Sequence, residues 1–422
     1  MSRLNISRRD FLNGIALGVA AGSSLSPLEI LAKDGRYPPA LTGLRGSHPG
    51  SFEIAHAVSW AGATFPRPAE LTDDPYDLVV VGGGLSGLAA ALMYRQRTGG
   101  DPRILVLDNH DDFGGHAKRN EFEVDGKLLI GYGGSQSIDS PGRYSKASAQ
   151  VLKDVGVVTD RFYEYFDRSY FRERNLGRGI YFSRDRYGAD SVQRNVLRFY
   201  GETDADALGE VVSGYPIPDE AKRSLVELLT TSRDHLPQLS ADEKITTLRG
   251  MSYSDYLRKL AGVHEAVVTM MRDGIRGWWG VGNDAISALE AFNMGMPGLA
   301  GLALPEDSSG PAGRDEPYIF HFPDGNAGVA RSLVRTLIPH AVPGKTMEDL
   351  VLSRVDYELL DVPSNRTRIR LDSTAVDVRH AEGDRAVDVT YVNHGTAYRV
   401  RGRHVILACY NRLIPHICTE LP

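Results

Sequence analysis

The sequence has little cysteine and no long apolar run, and both shortages narrow the class of protein. Only two cysteines, Cys409 and Cys418, occur among the 422 residues, and no C-x-x-C-H sequence is present. Covalent c-type haem and a cysteine metal cluster are therefore not expected. Cys409 falls within a predicted apolar strand, which favours a buried, inert thiol over a disulfide. No apolar stretch reaches the ~20 residues that a membrane-spanning helix needs.

Positive charge is not in excess either. The chain has 48 Lys and Arg residues against 54 Asp and Glu residues, a net charge of -6, and nothing in it forms a basic face for nucleic acid. Apolar residues make up 42% and charged residues 24% of the chain, which is typical of a soluble globular protein. The length leaves room for two or three domains, each around its own core.

The first residues have the pattern of an export signal. The sequence S-R-R-D-F-L-N contains the adjacent pair Arg8 and Arg9, and a mild apolar stretch interrupted by glycines follows from Ile15 to Leu25. Because that stretch is too short to span a bilayer, residues 1–33 are predicted to be a twin-arginine (Tat) signal peptide. The pattern predicts passage through the Tat translocon and a periplasmic location.

The most informative segment runs from Asp77 to Ala91 and predicts a buried strand, a glycine turn and a helix. Its G-x-G-x-x-G pattern allows a tight turn, a close backbone approach to a pyrophosphate, and close packing of helix on strand. The next predicted strand ends at Asp108, about 20 residues further on, where a ribose-binding carboxylate belongs. The residues predicted to bind the cofactor in this segment are Gly82, Gly84, Leu85, Ser86 and Gly87.

Later segments predict how the sheet is completed. Alternating residues from Leu371 to Arg379 and from Ala386 to Asn393 predict two strands, followed by Tyr398–Val400 and an apolar strand at His404–Cys409. This order predicts a small antiparallel meander and a strand that rejoins the parallel sheet. A helix is predicted from Gly325 through Leu337, and amphipathic helices at 252–260 and 285–292.

The predicted organisation is an α/β protein. A signal peptide (1–33) and an N-terminal arm (34–75) precede the first part of a Rossmann-like dinucleotide domain (76–140). A mainly helical substrate domain (141–325) is inserted, and the chain returns to the first domain at 326–422 with a helix, a β-meander and a final strand.

Taken together, these motifs resemble those of a known family. G-G-G-L-S-G, the acid at Asp108, F-G-G-H, G-Y-G-G-S-Q, L-D-S-T-A-V and V-I-L-A-C are similar to FAD-binding amine oxidoreductases of the glutathione-reductase-2 structural class. The arm at 37–53 and the segment F-G-G-H-A-K-R-N-E-F resemble, more narrowly, bacterial spermidine dehydrogenases. The resemblance implies FAD as cofactor, an amine substrate such as the polyamine spermidine, and a periplasmic electron acceptor other than oxygen.

The resemblance also implies roles for individual residues. Gly114, Gly115 and His116 correspond to an element near the pyrophosphate in which His replaces the usual Arg, so Arg119 is expected to supply the positive charge. Gly133, Gly134 and Ser135 resemble the segment that lies against the flavin, and Val376 resembles the residue whose backbone meets the adenine. Asn109 is expected to accompany the ribose acid. His48 and His56 are the candidate ligands of a non-covalent haem b.

Several points stay open at this stage. Members of the family continue well beyond the V-I-L-A-C strand, so the chain is expected to be a fragment that lacks the region closing over the flavin. Two alternatives are another FAD oxidoreductase of the same fold, such as a desaturase-like enzyme, and a non-catalytic nucleotide-binding remnant. The sequence names no catalytic side chain, and it leaves open the exact amine, the acceptor and whether the protein is a homo-oligomer.

Overall fold

The computed structural model describes residues 37–41, 47–167, 169–197, 205–304, 319–381, 383 and 385–421. The chain divides into two compact units, one formed by Met1–Glu164 with Tyr318–Pro422 and the other by Tyr165–Pro317. The second unit lies inside the range predicted for the inserted helical domain. The predicted signal peptide lies outside the described residues. Among the residues that are described, no helix combines the length and apolarity needed to cross a membrane.

The described residues form twelve strands and fifteen α-helices. The strands of the described chain are β1 (Tyr76–Val81), β2 (Ile104–Leu107), β3 (Arg119–Val124), β4 (Lys127–Tyr132), β5 (Ile138–Asp139), β6 (Gly179–Phe182), β7 (Ser191–Arg194), β8 (Ile319–Phe320), β9 (Thr367–Arg370), β10 (Ser373–His380), β11 (Val387–Asn393) and β12 (Thr396–Leu407). The α-helices are α1 (Glu53–Ala61), α2 (Leu85–Thr98), α3 (Lys146–Asp154), α4 (Tyr170–Glu173), α5 (Arg184–Tyr187), α6 (Ala205–Ser213), α7 (Asp219–Thr230), α8 (Ala241–Arg249), α9 (Tyr253–Lys259), α10 (Glu265–Met271), α11 (Arg276–Trp279), α12 (Ala288–Asn293), α13 (Ala327–Leu337), α14 (Asp349–Leu352) and α15 (Ile414–Ile417). Short 3-10 helices lie at Pro38–Ala40, Pro141–Arg143, Thr159–Glu164, Ala300–Leu302, Tyr357–Leu359 and Asn411–Leu413.

The first unit is built on a six-stranded sheet in the order β10-β11-β12-β1-β2-β9. β1 pairs in parallel with β2 on one side and with β12 on the other, and β9 pairs in parallel with β2. β1 and β2 are apolar and buried almost throughout, as expected for parallel strands covered on both faces. The predicted α/β fold with a parallel sheet is therefore confirmed.

β12 belongs to both parts of this sheet. It pairs antiparallel with β11 over Thr396–Gly402 and parallel with β1 over Gly402–Leu407. The sequence predicted two separate strands here, and the structure joins them through Gly402. A Cβ at Gly402 would lie 2.7 Å from the carbonyl oxygen of His404 and 3.0 Å from a methyl group of Val79, so glycine lets the strand pass between the two arrangements. Cys409 lies beyond the end of β12 and is only half-buried, which corrects its predicted place inside the strand; both cysteines are free.

Helices α2 and α13 pack against each other, and α2 packs on β1. Every residue of α13 except Thr336 is buried, so this helix is part of the core. The arm contains a helix, α1, that the sequence analysis did not predict, and it packs against β10. Ile54 and Val58 provide its apolar contact with the core, and Gly62 ends it with a φ of 65°.

A buried carboxylate fixes the segment that follows α1 to the meander. Asp388 in β11 accepts hydrogen bonds from Arg67 at 2.7 Å and from Arg401 at 2.6 Å, and Arg399 lies 3.6 Å away. Its side chain is only 2% exposed. Burial alone would raise the pKa of Asp388, but hydrogen bonds and charges from the arginines outweigh burial and hold that pKa below the usual 3.8.

The second unit has its own apolar core, formed mainly by α7, α9, α10 and α12. The predicted amphipathic helices at 252–260 and 285–292 correspond to α9 and α12. Tyr253 and Tyr256 of α9 are fully buried, and each hydroxyl donates to a backbone carbonyl, of Pro297 and Gly298 respectively. β6 and β7 form an antiparallel hairpin in the same unit.

Candidate dinucleotide-binding site

The glycine turn lies at the carboxyl end of β1, between the strand and α2. Gly82 has a φ of 111°, and a Cβ there would lie 2.5 Å from the carbonyl oxygen of Ala408. A Cβ at Gly87 would overlap the carbonyl oxygen of Gly82. The fold itself therefore requires glycine at these two positions, whatever the turn binds.

Gly84 differs from both. Its φ of -71° is open to any residue, and a Cβ there would make only an ordinary contact of 3.7 Å with the Cα of Gly115. The packing of the protein therefore does not require glycine at position 84. A ligand that must come close to the backbone would require it. Gly84 is also the N-cap of α2, which has no side-chain cap and no acidic residue in its first turn. The helix dipole and the first N–H groups, those of Leu85 and Ser86 among them, are therefore left for an anion.

Asp108 follows β2 and is 4% exposed. Its two carboxylate oxygens accept hydrogen bonds from the backbone N–H of Gly83 at 2.6 Å and of His110 at 2.8 Å. Burial raises the pKa of Asp108, although the charge of Lys118 and the two backbone bonds act against that rise. Each oxygen keeps a lone pair for a further donor, such as a ribose hydroxyl.

A second glycine turn touches the first. Gly114 and Gly115 have φ values of 99° and 62°, and the N–H of Gly114 donates to the carbonyl of Gly83 at 2.8 Å. A Cβ at Gly115 would lie 3.1 Å from the Cα of Gly84. The F-G-G-H segment thus places its backbone directly beside the predicted phosphate site, and the side chain of the next residue, His116, is exposed.

Arg119, which the resemblance implied to supply positive charge near the pyrophosphate, is bound to protein groups, and that role stays a prediction. Its side chain is 3% exposed and donates to Glu121 at 2.7 Å, to Asp324 at 3.0 Å and to the carbonyl of Val351 at 2.9 Å. These bonds use one N–H on each of its three nitrogens, so the side chain is held in place by protein groups. The guanidinium thereby links β3 to Asp324, which precedes α13, and to Val351 in α14.

The G-Y-G-G-S-Q loop lies against the residues that follow the second glycine turn. A Cβ at Gly133 would lie 2.9 Å from the Cβ of Lys118, and one at Gly134 would lie 3.2 Å from the carbonyl oxygen of His116. Ser135 accepts a hydrogen bond from the side chain of Asn326 at 2.9 Å. The structure therefore brings together Gly114, Gly115, His116, Gly133, Gly134 and Ser135.

Val376 lies in β10, and Asn109 lies in the loop directly after Asp108. The β10–β11 register shifts between Ala375 and Asp377, so Val376 has no residue opposite it in β11, the arrangement of a β-bulge. Its side chain is buried, which leaves the backbone as its means of contact with a ligand. The side-chain amide of Asn109 donates to the carbonyl of Ser51, so this residue joins the ribose-acid loop to the arm.

The two candidate haem histidines have different surroundings. The Nε2 atom of His48 lies 3.2 Å from Nδ1 of His110 and 3.2 Å from a carboxylate oxygen of Asp111. His56 in α1 stacks on Trp60 with 3.8 Å between ring centroids. Burial lowers the pKa of His56. Across the described residues, no group of three or more His, Cys, Asp or Glu side chains could hold a metal ion, and haem remains a prediction.

Two further residues belong to this site, although the sequence motifs did not indicate them. Gly83 is constrained because a Cβ there would lie 3.0 Å from a carboxylate oxygen of Asp108. Asn326, the N-cap of α13, donates to the G-Y-G-G-S-Q loop. An Asn directly before a helix is a typical N-cap signal, but nothing in the sequence shows that it contacts a loop about 190 residues away.

Comparison with known proteins identifies the nucleotide part of the chain. Residues 80–155 match the family of NAD(P)-binding Rossmann-like domains. Among curated proteins, none matches the chain. Solved structures that match include an oxidoreductase from Methanosarcina mazei (12% identity, TM-score 0.37, covering 82% of this chain and 61% of that one). Another is the CLA-producing fatty acid isomerase from P. acnes (12% identity, TM-score 0.34, covering 81% and 61%).

This chain thus spans about three fifths of the length of those two structures. The family match coincides with the glycine turn, Asp108 and the second glycine turn, that is, with the geometry described above. The protein therefore contains a dinucleotide-binding, Rossmann-like domain within an α/β fold.

Proposed function

We propose that the protein is an FAD-dependent oxidoreductase that oxidises an amine, most specifically a polyamine such as spermidine. In this proposal the amine gives a hydride from the carbon next to nitrogen, and the electrons pass to a periplasmic acceptor other than oxygen. The dinucleotide part rests on Gly84, where a Cβ would make only an ordinary contact of 3.7 Å with Gly115 and which lies at a helix N-terminus without a side-chain cap.

The residues of the site fit a dinucleotide. The N-terminus of α2 and the backbone of Gly84 would bind the pyrophosphate, and Asp108 would accept hydrogen bonds from ribose hydroxyls. The bulge at Val376 would offer its backbone to the adenine. Bound FAD would supply the hydride acceptor, and the protein would supply orientation and exclude water.

The amine is supported by the resemblance of the arm and of F-G-G-H-A-K-R-N-E-F to spermidine dehydrogenases. Hydride loss requires an uncharged reacting nitrogen, while the distal amines of a polyamine stay cationic. The rate should therefore rise with pH as that nitrogen loses its proton in the complex. Because the chain is net acidic at -6, added salt should raise the Michaelis constant. No catalytic side chain is assigned.

Anaerobic flavin reduction tests this proposal. The full-length protein is purified and titrated with FAD and separately with NAD+, and the FAD form is then mixed with spermidine or with a monoamine of similar length. We expect FAD to bind, and spermidine to bleach the visible flavin band well ahead of the monoamine. Equal bleaching by both amines without a salt effect would remove the polyamine and leave an FAD oxidoreductase. Binding of NAD+ alone would remove FAD, and a haem absorption band would add the second cofactor.

Export through the Tat pathway is a separate part of the proposal, because its signal lies outside the described residues. Replacing Arg8 and Arg9 by Lys should abolish recovery of the protein in the periplasmic fraction. Arg3→Lys is the matched control, since it changes an arginine of the same segment outside the paired motif. Undiminished export of the double variant would remove the Tat assignment.

A further inference from the structure

The loop from Gly133 to Ser137 has no strand partner in the described structure, yet it is fixed from two sides. On one side, the N–H of Gly133 donates to the carbonyl of Lys118 at 2.8 Å, directly after the second glycine turn. The absence of a Cβ at Gly133 and Gly134 permits this close approach. One face of the loop is thereby set by the glycine turns themselves.

Asn326 fixes the other face through three hydrogen bonds. Its backbone N–H donates to the carbonyl of Ser135 at 3.1 Å. Its side-chain amide donates to the hydroxyl of Ser135 at 2.9 Å and to the carbonyl of Ser137 at 2.8 Å. The preceding residue, Gly325, has a φ of 61°, and a Cβ there would lie 2.6 Å from the carbonyl oxygen of Ser135. The turn at Gly325 and Asn326 therefore packs closely against the 133–137 loop.

The helix that carries Asn326 also supports the second glycine turn. A Cβ at Gly114 would lie 3.3 Å from the Cβ of Ala330, one turn along α13. α13 is buried along nearly its whole length and packs on α2, whose N-terminus is the predicted phosphate site. The single helix α13 therefore contacts α2, the second glycine turn and the 133–137 loop, and it fixes their positions relative to one another.

We infer that Asn326 is a positioning residue that sets the spacing between the second glycine turn and the 133–137 loop. The inference rests on the proposed function, in which this spacing receives the half of the dinucleotide that does not carry adenosine. The adenosine half has its own contacts at Asp108 and Val376, which Asn326 does not touch. Loss of the Asn326 side chain should therefore weaken binding of a whole dinucleotide and spare binding of its adenosine half.

The test compares FAD with ADP, which carries only the adenosine diphosphate half. Asn326→Ala removes both side-chain bonds. Asn326→Asp keeps the shape but puts a carboxylate oxygen opposite the carbonyl of Ser137, which can only accept, while the hydroxyl of Ser135 can turn to donate. Asn365→Ala is the matched control, because Asn365 also donates its amide to a backbone carbonyl, that of Leu359 at 2.7 Å, on the segment before β9. We expect both Asn326 variants to raise the dissociation constant of FAD about tenfold and to leave that of ADP within about twofold.

The outcomes separate the two proposals. If FAD binding is unchanged in both Asn326 variants, or if ADP and FAD weaken together, the positioning role is overturned. If Asn365→Ala weakens FAD as much as Asn326→Ala does, the effect is general destabilisation and the role is likewise overturned. If the full-length parent protein binds neither FAD nor ADP, the proposed function fails and this inference fails with it.

Discussion

Substituting the glycines of the first turn one at a time separates ligand binding from folding. Gly84→Ala places a methyl group 3.7 Å from the Cα of Gly115 and keeps an allowed φ, so the ligand-free fold should accept it. Reduced freedom of the unfolded chain favours alanine by about 0.4–1 kcal/mol, and the N-cap preference for glycine acts in the other direction by a similar amount. The free energy of unfolding should therefore change by less than about 1 kcal/mol.

Binding should respond differently, because the new methyl group occupies the space through which a phosphate reaches the backbone. Losing one charge-assisted hydrogen bond costs about 1.5–3 kcal/mol. At 1.4 kcal/mol for each factor of ten, the dissociation constant of FAD should rise about 10- to 100-fold. Gly84→Val should be worse, since its branched side chain extends further into the same space.

Gly87→Ala is the matched comparison, since its Cβ would overlap the carbonyl oxygen of Gly82 in the absence of any ligand. It should lower the free energy of unfolding by about 1–3 kcal/mol, as overpacking usually does. Urea unfolding of the ligand-free proteins and fluorescence titration with FAD measure the two effects. The reasoning is refuted if Gly84→Ala binds FAD like the parent, or if it destabilises the ligand-free protein as much as Gly87→Ala does.

Three further predictions concern buried carboxylates. Asp108→Ala should raise the dissociation constant of FAD by the equivalent of about 1.5–3 kcal/mol, since hydrogen bonds to a ribose are lost; titration that matches the parent would show that this carboxylate has another role. Asp388→Asn should lower the free energy of unfolding by about 1.5–3 kcal/mol, measured by urea unfolding, because three arginines lose their carboxylate while solvent still reaches two of them. The pKa of Asp388 is depressed in the folded state, so its stabilisation is complete above the unfolded value of 3.8 and disappears as the pH falls through the folded pKa. Unfolding free energies of the parent should therefore fall more steeply in this acid range than those of Asp388→Asn, and parallel curves would contradict the assignment.

Local patterns predicted the elements that carry the glycine turn. The apolar run before Gly82 and the G-x-G-x-x-G spacing are properties of neighbouring residues, so β1, α2 and β2 followed from the sequence alone. The meander strands followed for the same reason. The continuity of β12 could not be predicted in this way. It needs glycine at 402 beside Val79, and Val79 lies more than 300 positions away in the sequence.

The site shows the same limit. Asp108 and both glycine turns were found from spacing, whereas the partners of Arg119 and the role of Asn326 depend on contacts between distant segments. Glu121 is near Arg119 in the sequence, but Asp324, which also accepts a hydrogen bond from Arg119, lies 205 positions away. The helix α1 was missed because the glycines and prolines around it obscured a short amphipathic pattern.

The position of β12 has a consequence for the order in which the protein can fold. This strand lies between β11 and β1 and is formed by Thr396–Leu407, so the middle of the sheet is supplied by a segment that is synthesised after β1 and after the whole unit at Tyr165–Pro317. Until it arrives, one edge of β1 is without its neighbour, whereas the unit at Tyr165–Pro317 already has its complete core. We therefore expect the helical unit to gain protection from hydrogen exchange first and the nucleotide domain last, as sheets closed by distant segments fold slowly.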